Sequence, residues 1–143
     1  MSLSSNNYSI SADKSMLNID MIHEFLTNSY WAKGRSRQAV EKAINSSLCF
    51  GVYLGKEQVG FARLITDYVA FAYLADVFIL ESYRGIGLGK KLVGTILAHP
   101  DLQNIRRWML ATRDAHGLYN QLGFDSLSQP EKYMEIINPN LGL

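Results

Sequence analysis

A chain of 143 residues with 48% hydrophobic side chains is long enough for one cored domain and too short for two of ordinary size. A formal net charge of +1 removes any blanket electrostatic case for nucleic acid or an anionic membrane, and a single cysteine, Cys49, excludes an internal disulfide framework and fits a reducing compartment. No apolar run approaches a transmembrane span and the polar start at 1–7 lacks a signal-peptide core, so the chain reads as cytoplasmic, with a disordered stretch at 1–7 and one domain over 8–143.

In chain order, Tyr8 to Ser11 suits a short strand, and Ile19, Ile22, Phe25 and Leu26 recur at helical spacing, which predicts a helix over about 18–29. Ser36 is placed to cap a second helix carrying Val40, Ala43 and Ile44 on one face. Phe50, Val52 and Leu54 alternate up to Gly55-Lys56, and Val59, Phe61, Arg63 and Ile65 alternate after it, the pattern of a hairpin. Phe71 to Leu80 is the next strand. Leu88, Leu92, Val93, Ile96 and Leu97 then line one face of a helix that Pro100 ends. Arg106 to Ala111 reads as a strand, Asp114 to Leu122 as a helix and Lys132 to Ile137 as a final strand. No spacing of His, Cys and carboxylates suggests a metal site.

The densest chemical signal is Arg84-Gly85-Ile86-Gly87-Leu88-Gly89-Lys90-Lys91, between the apolar run Val77-Phe78-Ile79-Leu80 and the helix that follows. Glycines let a backbone approach a ligand closely, and the first amides of a helix face whatever lies above its N-terminus, so strand, glycine turn and helix make an anion site. A P-loop would follow its lysine with Ser or Thr for magnesium, but Lys90 is followed by Lys91. A dinucleotide fingerprint spaces its glycines G-x-G-x-x-G and ends the next strand on an acid; here the third glycine comes one residue early and the next strand opens with Arg106-Arg107.

What remains is Arg-x-x-Gly-x-Gly, in which Arg84, Gly87 and Gly89 fill the key positions. Downstream, Ala115-His116-Gly117-Leu118-Tyr119-Asn120-Gln121-Leu122-Gly123-Phe124 offers a second pattern, Ala-x-x-Leu-Tyr-x-x-x-Gly-Phe. Together and in this order they resemble the GNAT superfamily of acyl-CoA-dependent N-acetyltransferases, and the resemblance spans nearly the whole chain. It implies a single α/β (α+β) domain, with a central mixed, mostly antiparallel and splayed sheet of six to seven strands flanked by about four helices.

The resemblance also implies acetyl-CoA as co-substrate, its pyrophosphate held by Arg84, Gly85, Ile86, Gly87, Leu88, Gly89 and Lys90. The pantetheine arm is implied to run along the preceding strand at Phe78 and Ile79. Tyr119 matches the family tyrosine that donates to the departing sulfur, and a phenol stays protonated at neutral pH. An oxyanion donor is implied from a backbone amide near Val77 to Ile79, where family members carry a bulge. Some members have a glutamate at positions matching Tyr73 or Ala75, neither of which is acidic here. Asp76 is the nearest acid and has two readings, a group that handles the amine or its proton and a structural hydrogen-bond acceptor. His116 reads as a surface residue, and His23 and His99 have weaker claims.

The acceptor wall is expected in the loop Tyr30-Trp31-Ala32-Lys33-Gly34-Arg35, with Tyr30, Trp31 and Arg35 as candidate contacts. Arg35 and Lys33 favour an anionic acceptor, whereas Asp67 and Asp76 favour a polyamine or lysine side chain. The implied partners are a small-molecule amine, favoured over a protein amine, with no nucleic acid and no membrane; sheet-edge homodimers are common in the family. The other class of function is a non-catalytic acyl-CoA-binding sensor or partner-binding module.

Overall fold

The computed structural model describes residues 7–141. All of the expected disordered stretch except Asn7 therefore lies outside the described residues. The elements are β1 (Tyr8–Ser11), α1 (Ile19–Thr27), α2 (Arg37–Asn45), β2 (Leu48–Leu54), β3 (Glu57–Thr66), β4 (Phe71–Ile79), α3 (Leu88–Leu97), β5 (Arg107–Leu110) and α4 (His116–Gln121). Side-chain oxygens start the first two helices: Asn18 accepts from the Met21 amide, and Ser36, as expected, from that of Ala39.

The strands form one sheet in the order β1-β2-β3-β4-β5. The first four are antiparallel neighbours, and β5 joins β4 in parallel. Two apolar layers cover its faces. Val40 and Ile44 of α2 pack with Ile22 and Leu26 of α1 against Phe61 and Phe78, while Leu88, Leu92, Val93 and Ile96 of α3 pack on the other face against Val52, Leu64 and Leu74. Burying such side chains contributes roughly 1.5–3 kcal/mol each.

Two features of β4 position the site. It pairs with β5 only over Phe71–Leu74 opposite Arg107–Leu110, so residues 75–79 continue without a strand neighbour on that side and the sheet parts there. On its other side the register with β3 runs from Phe61 opposite Phe78 to Arg63 opposite Ala75, so Asp76 and Val77 together face Ala62 in a β-bulge. Asp76 takes the left-handed conformation there (φ 53°), which Asp tolerates better than most residues. The bulge also switches the alternation: Ala72 and Leu74 face the α3 layer before it, whereas Phe78 faces the α1–α2 layer after it.

The expected strand over Lys132–Ile137 is absent, so the described residues hold five strands rather than six to seven, with four α-helices as expected. Pro130–Lys132 form a 3-10 turn, and the Tyr133 ring then meets the Arg107 guanidinium at the first residue of β5. The chain has reached the end of that strand before the apolar residues of the segment begin, so they have no edge of their own sheet to run along.

Candidate functional site

The gap between β4 and β5 opens into a groove of about 1040 Å³ that reaches from the glycine turn to Trp31 and Arg35. At one end, Gly87 is the N-cap of α3 with φ 84°, and no side chain caps the helix, so its first amides lack intrahelical partners. Gly85 is also left-handed, at φ 86°, and a Cβ built on Gly85 or Gly87 would meet nothing within 4 Å. Open space over an uncapped helix end suits a diphosphate. Lys90 lies in that first turn and lines the groove. Arg84 donates from Nε to the Ile79 carbonyl at 2.8 Å, which holds its guanidinium at the end of β4 and leaves the terminal nitrogens for an anion.

Tyr119 lines the middle of the groove from α4. Its ring is 9% exposed and meets Phe124 edge-on at 5.9 Å, a contact fixed by the Phe124 amide donating back to the Tyr119 carbonyl. Burial, and to a lesser degree Tyr30, pushes its phenol above the ordinary value, so it holds its proton at neutral pH.

The far end is built by the loop after α1. Ser29 Oγ donates to the Leu26 carbonyl and accepts from the Ala32 amide, the Gly34 amide reaches back to Thr27, and that of Arg35 to Ala32. This knitted loop brings Trp31 and Arg35 to the bulge. The Asp76 carboxylate, its side chain 3% exposed, accepts from Trp31 Nε1 at 3.0 Å, Arg35 Nη1 at 2.9 Å and Arg63 Nε at 2.8 Å. Arg63 is tied further to Ser47 Oγ at 3.2 Å. Phe25 stacks on Phe78 with centroids 3.9 Å apart and forms the apolar wall beside Trp31. The Arg113 guanidinium, outside the groove lining, lies 3.7 Å over the ring of Tyr30, which lines it.

The groove thus brings together Tyr30, Trp31, Arg35, Asp76, Phe78, Ile79, Arg84, Gly85, Gly87, Leu88, Gly89, Lys90 and Tyr119, with Ile86 outside its lining. Asp67 is elsewhere: its Oδ1 accepts from the amides of Val69, Ala70 and Phe71 and closes the β3–β4 turn. His116 borders a separate hollow, and His99 caps the Asp101 amide. Cys49 is buried outside the groove, and desolvation pushes its thiol up to about 11. Among the described residues no group of His, Cys, Asp and Glu could hold a metal ion, and no helix is long and apolar enough to cross a membrane.

Sequence reasoning missed Arg63, which alternates like any strand residue and whose link to Asp76 spans 13 positions and a bulge. It also missed Phe25, a member of an ordinary helical stripe, and Arg113, in a loop without a motif.

The model of the acetyltransferase (GNAT) family matches residues 18–124. A protein of Gibberella zeae, provisionally named an acetyltransferase, is 33% identical over 135 residues, covering 80% of this chain and 76% of its own. A crystal structure from Xanthomonas campestris pv. campestris, provisionally assigned as a GNAT acetyltransferase, is 47% identical over 94% of this chain and 95% of its own, with a TM-score of 0.90. The ribosomal-protein-S18-alanine N-acetyltransferase of Escherichia coli shares the fold at 17% identity, with a TM-score of 0.69 over 85% of this chain and 79% of its own. The chain belongs to the GNAT family of acetyltransferases.

Proposed function

We propose that this protein transfers the acetyl group of acetyl-CoA to a primary amine by direct attack with both substrates bound. The observation that carries the reading is the parting of β4 from β5 beside the uncapped N-terminus of α3, with Tyr119 between the two ends of the groove. Acetyl-CoA supplies the activated acetyl group. The amides of Leu88, Gly89 and Lys90, with Arg84, hold its diphosphate, each helix-end amide being part of a dipole interaction worth roughly 0.3–1 kcal/mol. The free edge of β4 at Phe78 and Ile79 holds the pantetheine arm. A backbone amide at the bulge faces the carbonyl oxygen as charge develops, and the Tyr119 hydroxyl donates to the sulfur as the thiolate leaves. Burial of Cys49 outside the groove favours direct attack over an acyl-cysteine route.

Asp76 is assigned the role of a positioning residue. Both its oxygens are engaged, so it locks Trp31, Arg35 and Arg63 into the acceptor wall. Two guanidiniums on one carboxylate leave the cluster with one positive charge in excess. That charge favours a neutral over a protonated amine beside it and suits an acceptor carrying its own anionic group, such as a small amino acid or amino phosphate.

Titration of acetyl-CoA into wild-type and Gly87→Val protein tests the diphosphate site. The new side chain occupies the space above the helix end, and affinity is expected to fall by at least about tenfold. The left-handed backbone adds about 1–2 kcal/mol of strain, lowering the melting temperature by a few degrees without unfolding the chain. Unchanged affinity in the folded variant would sink this assignment. The absence of an acid at Tyr73 and Ala75 keeps the acyl-CoA-binding module as a second reading, which turnover with an amine separates from the first.

A further inference from the structure

The parting of β4 from β5 has two banks at the far end of the groove, and a cation–π contact joins them. The loop after α1 stands on the β4 side, because Trp31 donates to Asp76 of that strand. Residues 111–115 continue from β5 on the other side, where Thr112 and Asp114 line the groove and Thr112 Oγ1 fixes the turn by accepting from the Ala115 amide at 3.0 Å. Arg113, between them, leaves the lining and places its guanidinium 3.7 Å over the ring of Tyr30. That ring in turn meets Trp31 edge-on at 5.2 Å. Arg113 is exposed and has no carboxylate partner among the described residues, so the ring rather than an ion pair sets its place.

We infer that Arg113 is a positioning residue for acceptor choice: by clasping Tyr30 it ties the two banks together and restricts the far end of the groove to single small amines, excluding the amine of a polypeptide. The inference rests on the proposed transfer of acetyl to an amine at that end. A guanidinium 3.7 Å from a ring centroid is in van der Waals contact with the ring, so nothing passes between them. A small amine needs no passage there, whereas a peptide must carry its chain out of the groove from the reacting nitrogen. The clasp also holds Tyr30 against Trp31, and Trp31 against Asp76, which keeps the wall in one shape. An exposed cation–π contact shifts an equilibrium by only about two- to fivefold, so the clasp is a filter that opens and not a fixed barrier.

The test compares wild type, Arg113→Ala, Tyr30→Leu and the double variant on phenylalanine and lysine, each against a peptide of about ten residues that begins with it. Arg113→Ala should raise kcat/KM for the peptides by about two- to fivefold and raise KM for the free amino acids, with acetyl-CoA affinity unchanged. Once Tyr30 is leucine, Arg113→Ala should have no further effect, because both changes open the same clasp. In solution, ring current from Tyr30 should shift the Arg113 side-chain NH proton upfield, and Tyr30→Leu should abolish that shift. Peptides acetylated as well as free amino acids by the wild type, or peptide turnover that does not rise in Arg113→Ala, overturn the inference and leave acetyl transfer standing. Additive effects of the two substitutions, or an Arg113 signal indifferent to Tyr30→Leu, overturn it as well. Acetyl-CoA bound with no amine of any kind turned over sinks the proposed transfer and this inference with it.

Discussion

Tyr119→Phe is expected to lower kcat by roughly tenfold to a hundredfold while leaving acetyl-CoA affinity unchanged. Only the hydroxyl is removed: the ring keeps its edge contact with Phe124 and its place in the groove wall, so the fold and the binding surface persist. The thioester sulfur needs a proton donor only as its bond breaks, which makes the lost interaction specific to the transition state. General-acid contributions run to about 10²–10⁴-fold, and water reaching the open groove supplies part of the loss, which sets the lower range. The same assignment fixes a pH dependence. The hydroxyl must be protonated and burial raises its pKa, so turnover is retained below that pKa and falls as pH rises through it, above about pH 10. Steady-state turnover beside direct binding checks both statements. Equal kcat in the two proteins, with chemistry rate-limiting, removes Tyr119 from the mechanism.

Asp76→Ala is expected to destabilise the chain by about 3–5 kcal/mol, because it leaves Arg35 and Arg63 facing each other with no counter-charge. That is a large share of a total stability of about 5–15 kcal/mol. Alanine also tolerates the left-handed bulge position less well than Asp. Asp76→Asn keeps a short polar side chain and the backbone preference, and should cost less while still loosening Trp31 and Arg35. With acetyl-CoA proposed to bind at the other end of the groove, its affinity should hold in the folded Asn variant while KM for the amine rises. Thermal unfolding with amine and acetyl-CoA saturation curves distinguishes the roles. A melting temperature unchanged to within a degree in Asp76→Ala contradicts the ion-pair role, and a fall in kcat alone in Asp76→Asn points instead to proton transfer.

The glycine turn at one end of the groove, proposed for the cofactor, was legible in the sequence because its geometry is local. Gly85, Gly87 and Gly89 lie within five residues, and a glycine turn between an apolar run and an amphipathic face has few structural meanings. The far end, proposed for the acceptor, was not, because it is assembled from three distant segments. Arg35 comes from a loop, Arg63 from a strand that reads as plain alternation, and Asp76 faces them only because a bulge turns it from the side its neighbours suggest. The conflict between Arg35 and Asp76 as opposite signals for the acceptor dissolves once they are seen bonded to each other. The missing strand at Lys132–Ile137 has a different cause: propensity describes the segment, whereas a strand also needs an edge to pair with.

Acetyl transfer is tested most directly by incubating the wild-type chain with acetyl-CoA and matched acceptors, following thiol release and identifying the product by mass. The pairs differ only in the anionic group: phenylalanine against 2-phenylethylamine, lysine against cadaverine, O-phosphoethanolamine against ethanolamine. N-acetylated product is expected, with higher kcat/KM for the carboxylated or phosphorylated member of at least one pair. Binding of acetyl-CoA with no thiol released above the uncatalysed rate, across these and a broader set of small-molecule and peptide amines, contradicts catalysis and leaves a binding module.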